Sequence, residues 1–334
     1  MGDVVVGTCS WTDRTMIERW YPRGVAASAE ARLRYYAARF DCVEVDSTFY
    51  GLPKREVAEA WVRRTPDDFT FHVKAYGLMT GHEVDERALH PELRDYPYEV
   101  TTRGRVRNPP REMIERSFEL FLQELEPLHA AGKMGGVLMQ YPPYITATHR
   151  EHMHHNLEMI EIGAELLRPH PVFVEFRHPS WVSDANLPKT LRFLSERGLT
   201  YVCVDAPQFS GGTTMPPVAA VTAPLGYVRF HGRNVGTWHA RTGRAADRFD
   251  YLYTPDELKE WNEPVQRLAE EAERTWVMFN NCKYDYAPRN AKDMAGILGD
   301  VVAPRRGGTP TGEPADEQAP IESPSDDEQL GFSM

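Results

Sequence analysis

Glu44, Glu175 and His231 are the residues of this chain best suited to moving protons, and each lies within or at the end of a short apolar run rather than in a polar segment. Lys74, Arg177 and Arg229 occupy equivalent places on other runs. Two arginines and a lysine aimed at one spot suit phosphate or carboxylate, which guanidinium groups grip with paired N–H donors. Gln140, Asp205, Asn280 and Asn281 stand at further run ends and would orient polar substrate groups. Trp11, Tyr50 and Trp181 follow such runs closely and would offer ring faces for stacking. Carboxyl groups beside cations are the material of general acid–base catalysis. A Gly-x-Ser-x-Gly elbow is absent, which leaves a serine hydrolase without support.

The elements that must position these residues repeat. A short β-branched run leads to a polar turn, an amphipathic helix and another run. The runs are Asp3–Thr8, Cys42–Ser47, Phe69–Ala75, Gly135–Gln140, Val172–Phe176, Thr200–Val204, Gly226–His231 and Thr275–Asn280. They are mostly apolar, as strands buried on both faces are. Helices are expected at Ala29–Arg39 behind the cap residue Ser28, and at Glu56–Arg63, Arg111–Ala130, His149–Leu167, Leu187–Arg197, Pro255–Arg274 and Pro288–Leu298. Asp205–Pro224 is rich in Gly, Pro and Thr and reads as a loop, so one outer helix is expected to be missing. Alternating strands and helices give parallel strands, and eight units give a closed (β/α)8 barrel of the α/β class. No Gly-x-Gly-x-x-Gly or phosphate-binding Gly-Lys loop follows any strand, which argues against a doubly wound sheet. In an eight-unit barrel the C-terminal strand ends carry the chemistry, and the candidate residues gather there.

Two segments stand outside the repeat. Residues 84–110 interrupt the third unit with a polar, Arg- and Pro-containing insertion, an expected lid or arm over the mouth. Residues 303–334 are rich in Pro, Gly, Ser and acids and read as a disordered tail, leaving 1–302 as a single barrel domain. The chain's formal net charge is −11. Seven acids against Arg305 and Arg306 place −5 of it in the tail and −6 in the body. A mildly acidic body lacks the broad basic field of a non-specific nucleic-acid binder. The four cysteines have no Cys-x-x-Cys spacing, and no window is apolar for the length of a membrane span. A cytoplasmic protein with no membrane partner is expected, and no protein partner is inferable.

Several motifs then add up. GTCSW at Gly7–Trp11, WYP at Trp20–Pro22, FDCVEVDSTFYGLP at Phe40–Pro53, FHVKA at Phe71–Ala75, MQYPP at Met139–Pro143, VEFRHPSW at Val174–Trp181, VRFHG at Val228–Gly232 and FNNC at Phe279–Cys282 stand in order along the chain. Together they resemble the YecE-like family, domain of unknown function 72. The resemblance implies a TIM-type barrel and supplies no activity. Asp46 departs from it, standing where the family usually has Asn, and in Thr80-Gly81-His82 a glycine separates a Thr-His pair that is usually adjacent.

Glu44, Asp46, Glu175, Asp205 and His231 are ligand types that suit Mg, Mn or Zn, yet no dense His cluster stands among the strand ends. His152, His154 and His155 fall on an outer helix. No metal ligand is therefore assigned and no cofactor is expected, with a divalent metal left as the open alternative. The residues point to an enzyme acting on a phosphorylated or otherwise anionic substrate, a small molecule or a nucleic-acid end, with hydrolysis, isomerisation and lyase chemistry all open. The alternative is a non-catalytic module that grips a nucleic-acid segment or a protein tail. A deep pocket with converging carboxylates would favour the enzyme, and a shallow basic groove the module.

Overall fold

A computed structural model describes residues 2–208, 214–238 and 249–304. Eight parallel strands close into one ring: β1 Asp3–Thr8, β2 Cys42–Val45, β3 Thr70–Lys74, β4 Met134–Gln140, β5 Val172–Glu175, β6 Thr200–Asp205, β7 Leu225–Phe230 and β8 Arg274–Phe279. Neighbours in sequence are neighbours in the ring, and β1 closes onto β8 from Asp3↔Arg274 to Thr8↔Phe279. All eight expected strands are present, with ends shifted by one or two residues. Their β-branched and aromatic residues explain the choice of strand, since such side chains pack well on a pleated wall covered on both faces.

The outer helices are α1 Ala29–Ala37, α2 Arg55–Arg63, α3 Arg111–Ala130, α4 Arg150–Leu166, α5 Leu187–Glu196, α6 Asn262–Glu271 and α7 Tyr286–Leu298. Ser28 caps α1 through a hydrogen bond from the amide of Ala31. Between β6 and β7 the described residues form no helix, as the Gly- and Pro-rich composition implied. The expected helix over Pro255–Arg274 is instead two, Pro255–Lys259 and α6. Pro264 has no N–H to give the carbonyl of Glu260, so the first helix stops and Pro264 falls in the first turn of the second. Thr254 and Glu257 close a capping box on the first of these helices.

The 84–110 insertion carries short 3-10 turns and a two-stranded hairpin, Glu99–Val100 against Val106–Arg107. Val84, Leu89, Leu93 and Val106 anchor it in the core, and Glu92 pairs with Arg116 on α3. At its far edge Ala88 approaches Gly51 of the loop after β2. Beyond β8, Val302 bridges to Val4 and the amide of Ala303 donates to the carbonyl of Val4 at 2.8 Å, so residues 302 and 303 belong to the barrel. The rest of the tail expected from residue 303 onward lies, from 305, outside the described residues. No described helix is long and apolar enough to cross a membrane.

Candidate active site

Period-two alternation decides which strand-end residues meet. Arg229 reaches Glu44 and Glu175 on strands that are not its neighbours, so all three project into the barrel. Every second residue on each strand shares that direction, and parallel partners in register share it too. Cys9, Glu44, Asp46, His72, Lys74, Gln140, Glu175, Arg177, Arg229, His231 and Asn280 therefore point inwards. On β6 the residue paired with Arg229 is Val204, which points in and turns Asp205 out.

Arg229 sits at the centre, fully buried, between the carboxylates of Glu44 and Glu175. The phenol of Tyr227, two residues earlier on the same face, donates to Glu44 Oε2 at 2.8 Å. Glu175 is the more heavily supplied acid. Besides Arg229 it accepts from Gln140 Nε2 at 2.7 Å and Arg177 at 3.3 Å, and it meets His231 Nε2 at 2.9 Å. The amide nitrogen of Asn280 lies 2.9 Å from His231 Nδ1. With that amide donating, Nδ1 accepts, the ring proton stays on Nε2, and Nε2 donates to Glu175. Burial holds His231 down at about 4, so it is neutral near pH 7.

The two acids part company electrostatically. Burial works against both charges, but at Glu175 the cations Arg229 and Arg177, with the His231 hydrogen bond, outweigh it and hold the carboxyl well below its usual range. Glu44 has fewer donors, and burial with nearby Asp46 pushes it up to about 7. One carboxylate thus stays ionised while its partner across the same guanidinium can take or release a proton near neutrality. That separation is the signature of an acid–base pair.

The face open to a ligand lies one layer above. Asp46 and Lys74 approach within 3.4 Å, with 26% and 11% of their side chains exposed, and Arg177 is 18% exposed. Lys74 Nζ stands 4.7 Å over the ring of Phe49, and Arg177 stands 5.3 Å over that of Trp238. Glu44, Glu175, Arg229 and His231 form the floor beneath, fully buried.

Other candidate residues are placed elsewhere. Asp205 accepts from Arg233, Tyr253 and Trp261 and fastens the segment after β7 to the outer layer. Asn281, odd where Asn280 is even, donates to Tyr251 O and Asn290 Oδ1, each at 2.8 Å, and clamps the same segment to α7. Trp11 packs edge-on to Trp61 of α2 at 5.7 Å, outside the wall. Trp181 stacks on Phe176 at 4.3 Å and donates to Ile145 O, also outside. Tyr50 stands on the rim, 60% exposed. The expectation that all these groups line one pocket is corrected for Asp205, Asn281, Trp11 and Trp181: alternation and loop packing take them away. Tyr227 beneath the floor, and Trp238 and His82 at the mouth, were not among the expected site residues. Tyr227 was legible from its spacing to Arg229; the other two had no periodic signal.

Among the described residues no group of three or more His, Cys, Asp or Glu is placed to hold a metal ion. Where the carboxylates converge, the guanidinium of Arg229 stands between them. The four cysteines are free thiols. Cys9 and Cys282 flank the β1–β8 seam, and burial pushes both thiols well up, which makes them poor nucleophiles.

The model of the family described as a protein of unknown function, DUF72, matches residues 5–314. The chain belongs to the DUF72 family. It is 29% identical to the protein YunF of Bacillus subtilis over 310 residues, covering 91% of this chain and 98% of that protein. It is 24% identical to YecE of Escherichia coli over 302 residues, covering 81% of this chain and 93% of that one. Among solved structures, a DUF72 protein from Thermotoga maritima matches with a TM-score of 0.69 at 29% identity, over 89% of this chain and 99% of that one. A DUF72 protein from Enterococcus faecalis matches with a TM-score of 0.70 at 26% identity, over 88% and 95%. The resemblance read from the ordered motifs is thereby borne out, and so is the barrel it implied.

Proposed function

We propose that this DUF72 protein is an enzyme that binds a phosphorylated or otherwise anionic substrate in the C-terminal mouth and acts on it by proton transfer. The observation that carries this reading is the Glu44–Arg229–Glu175 floor. A barrel of this kind is ordinarily filled with Val, Ile and Leu, and burying a charged triad stabilises a fold no better than apolar packing does. A triad retained directly below Lys74 and Arg177 has its rationale in chemistry at the mouth. Lys74 and Arg177 hold the anion, Gln140 orients it, and Glu44 with the more exposed Asp46 supplies the acid and base. His231, kept neutral, and Asn280 hold Glu175 in place; Glu175 fixes Arg229 and Arg177. These are positioning roles, because Glu175 is taken up by Gln140, Arg177, Arg229 and His231, and both His231 ring nitrogens are engaged. A deep floor with converging carboxylates also weighs against the shallow groove of a non-catalytic nucleic-acid or protein-tail binder.

Thermal-shift and calorimetric screening of the full chain against phosphate esters and carboxylates tests the reading. Anions are expected to bind, with Lys74→Met and Arg177→Met each weakening them at least tenfold, in line with the loss of one charge-assisted contact. Binding unaffected by both substitutions would place the ligand elsewhere. Tight capture of single-stranded nucleic acid with no small anion bound would favour the binding module.

A further inference from the structure

The mouth is more than a pair of cations, because two acceptors stand among them. The first is Asp46, 3.4 Å from Lys74 and 3.6 Å from Arg229. The second is His82, in the turn after β3. Gly81 takes a φ of +79°, open to glycine at little cost, and folds the histidine back so that its Nδ1 lies 2.9 Å from Thr80 Oγ1. Thr80 Oγ1 also lies 3.2 Å from the carbonyl of Gly77; with its single hydroxyl proton given there, it accepts from His82. In that arrangement the ring proton is on Nδ1, and Nε2 keeps a lone pair. The same ring lies edge-on to Phe49 at 4.8 Å, and Phe49 carries Lys74 on its face at 4.7 Å, so acceptor and cation share one aromatic wall. Tyr144, from the loop after β4, donates to Gly81 O at 2.6 Å and ties this turn to the next unit. Burial, with Lys74 and Arg177 nearby, holds His82 at about 3, so the lone pair stays available throughout the neutral range.

A ligand that is only an anion would satisfy Lys74 and Arg177 and leave Asp46 and His82 facing its charge. We infer that the substrate carries hydroxyl donors beside its anionic group, a sugar-phosphate or sugar-acid type of molecule, with His82 Nε2 and Asp46 as the acceptors that read those hydroxyls. An ammonium donor is disfavoured by Lys74 and Arg177 standing around His82. This inference rests on the anion-binding reading above and deepens it. It also gives a use to the glycine between Thr80 and His82: with the pair adjacent, the ring would not turn back on Thr80 through a left-handed residue.

Calorimetry on the full chain with glycerol 3-phosphate and propyl phosphate, which share the phosphate and differ in hydroxyls, tests it. Glycerol 3-phosphate is expected to bind about tenfold more tightly, the worth of one or two well-placed hydrogen bonds. His82→Ala should erase that preference while leaving propyl phosphate within about twofold, and His82→Gln, which keeps an acceptor, should restore part of it. Long-range proton–nitrogen spectra of the imidazoles should show His82 in the Nδ1–H form. Equal binding of the two esters, an Nε2–H tautomer, or an equal loss of both esters in His82→Ala would overturn the hydroxyl inference alone. Failure of both esters and of phosphate itself to bind wild-type protein would instead overturn the anion reading and this inference with it.

Discussion

Glu44 and Glu175 are the same residue type, both wholly buried and both bonded to Arg229, yet their surroundings give them opposite tendencies. Glu175 accepts from four side chains, Glu44 from two. Because burial pushes Glu44 up to about 7, its ionisation costs the fold: its contribution is fully favourable below the unfolded value near 4.5 and is lost as pH rises through about 7. Glu44→Gln removes that dependence. The variant is expected to gain on the wild type by roughly 1–3 kcal/mol between pH 5 and pH 8, read from urea midpoints at each pH. A constant difference across that range would mean that Glu44 is ionised throughout. The candidacy of Glu44, Glu175 and Arg229 was legible in the sequence because polar residues at strand ends are costly unless paired. Their pairing with one another, and the split between the acids, was not, because it depends on which donors other strands deliver.

At the scale of elements the deciding quantity is parity along a strand. Asp205 ends β6 as Glu175 ends β5, but the β6–β7 register pairs Val204 with Arg229 and faces Asp205 outwards. There it collects Arg233, Tyr253 and Trp261 and becomes the anchor of the segment after β7. Asn281 and Asn290 make a second anchor for that segment. Asp205→Ala leaves Trp261 Nε1 and the Tyr253 hydroxyl without their acceptor. Discounting the partly exposed Arg233, a loss of about 2–3 kcal/mol is expected in urea unfolding, with anion binding at the mouth unchanged within about twofold. A tenfold loss of binding at unchanged stability would return Asp205 to the site. The same parity explains Asn280 in the site beside Asn281 outside it. An apolar run shows where a strand is; which of two adjacent polar residues at its end faces inwards is set by a register with the next strand.

The whole molecule carries its polarity inwards, and this has a consequence in acid. His72, enclosed by Phe173, Tyr227 and Trp276, makes no hydrogen bond from either ring nitrogen, and burial holds it down at about 3. His82 and His231 are held at about 3 and about 4. All three lie below the ordinary histidine value, so their stabilising contribution is present above about pH 6.5 and drains away as pH falls towards 4. Glu44 works in the opposite sense over that range, but three histidines outweigh one glutamate. The melting temperature is expected to fall from about pH 6.5 to pH 4.5, and His72→Leu to flatten the fall by about half, since it removes one of three histidines opposed by one glutamate. An equal slope in the variant would show that His72 is not protonated on unfolding. What the sequence determined by itself was the architecture: eight β-branched runs separated by amphipathic helices leave little choice but a closed parallel barrel, because each run must be covered on both faces. It also determined that polar residues crowd the C-terminal strand ends. Tertiary structure alone decided the membership of the site. Barrel closure brings β2, β5 and β7 around one guanidinium, alternation sends Asp205 and Asn281 outwards, and a glycine in a left-handed turn swings His82 back onto Thr80. Closure and register are long-range relations between strands that nothing local in the chain encodes; the His82 turn is local, but the Phe49 and Lys74 it meets are not.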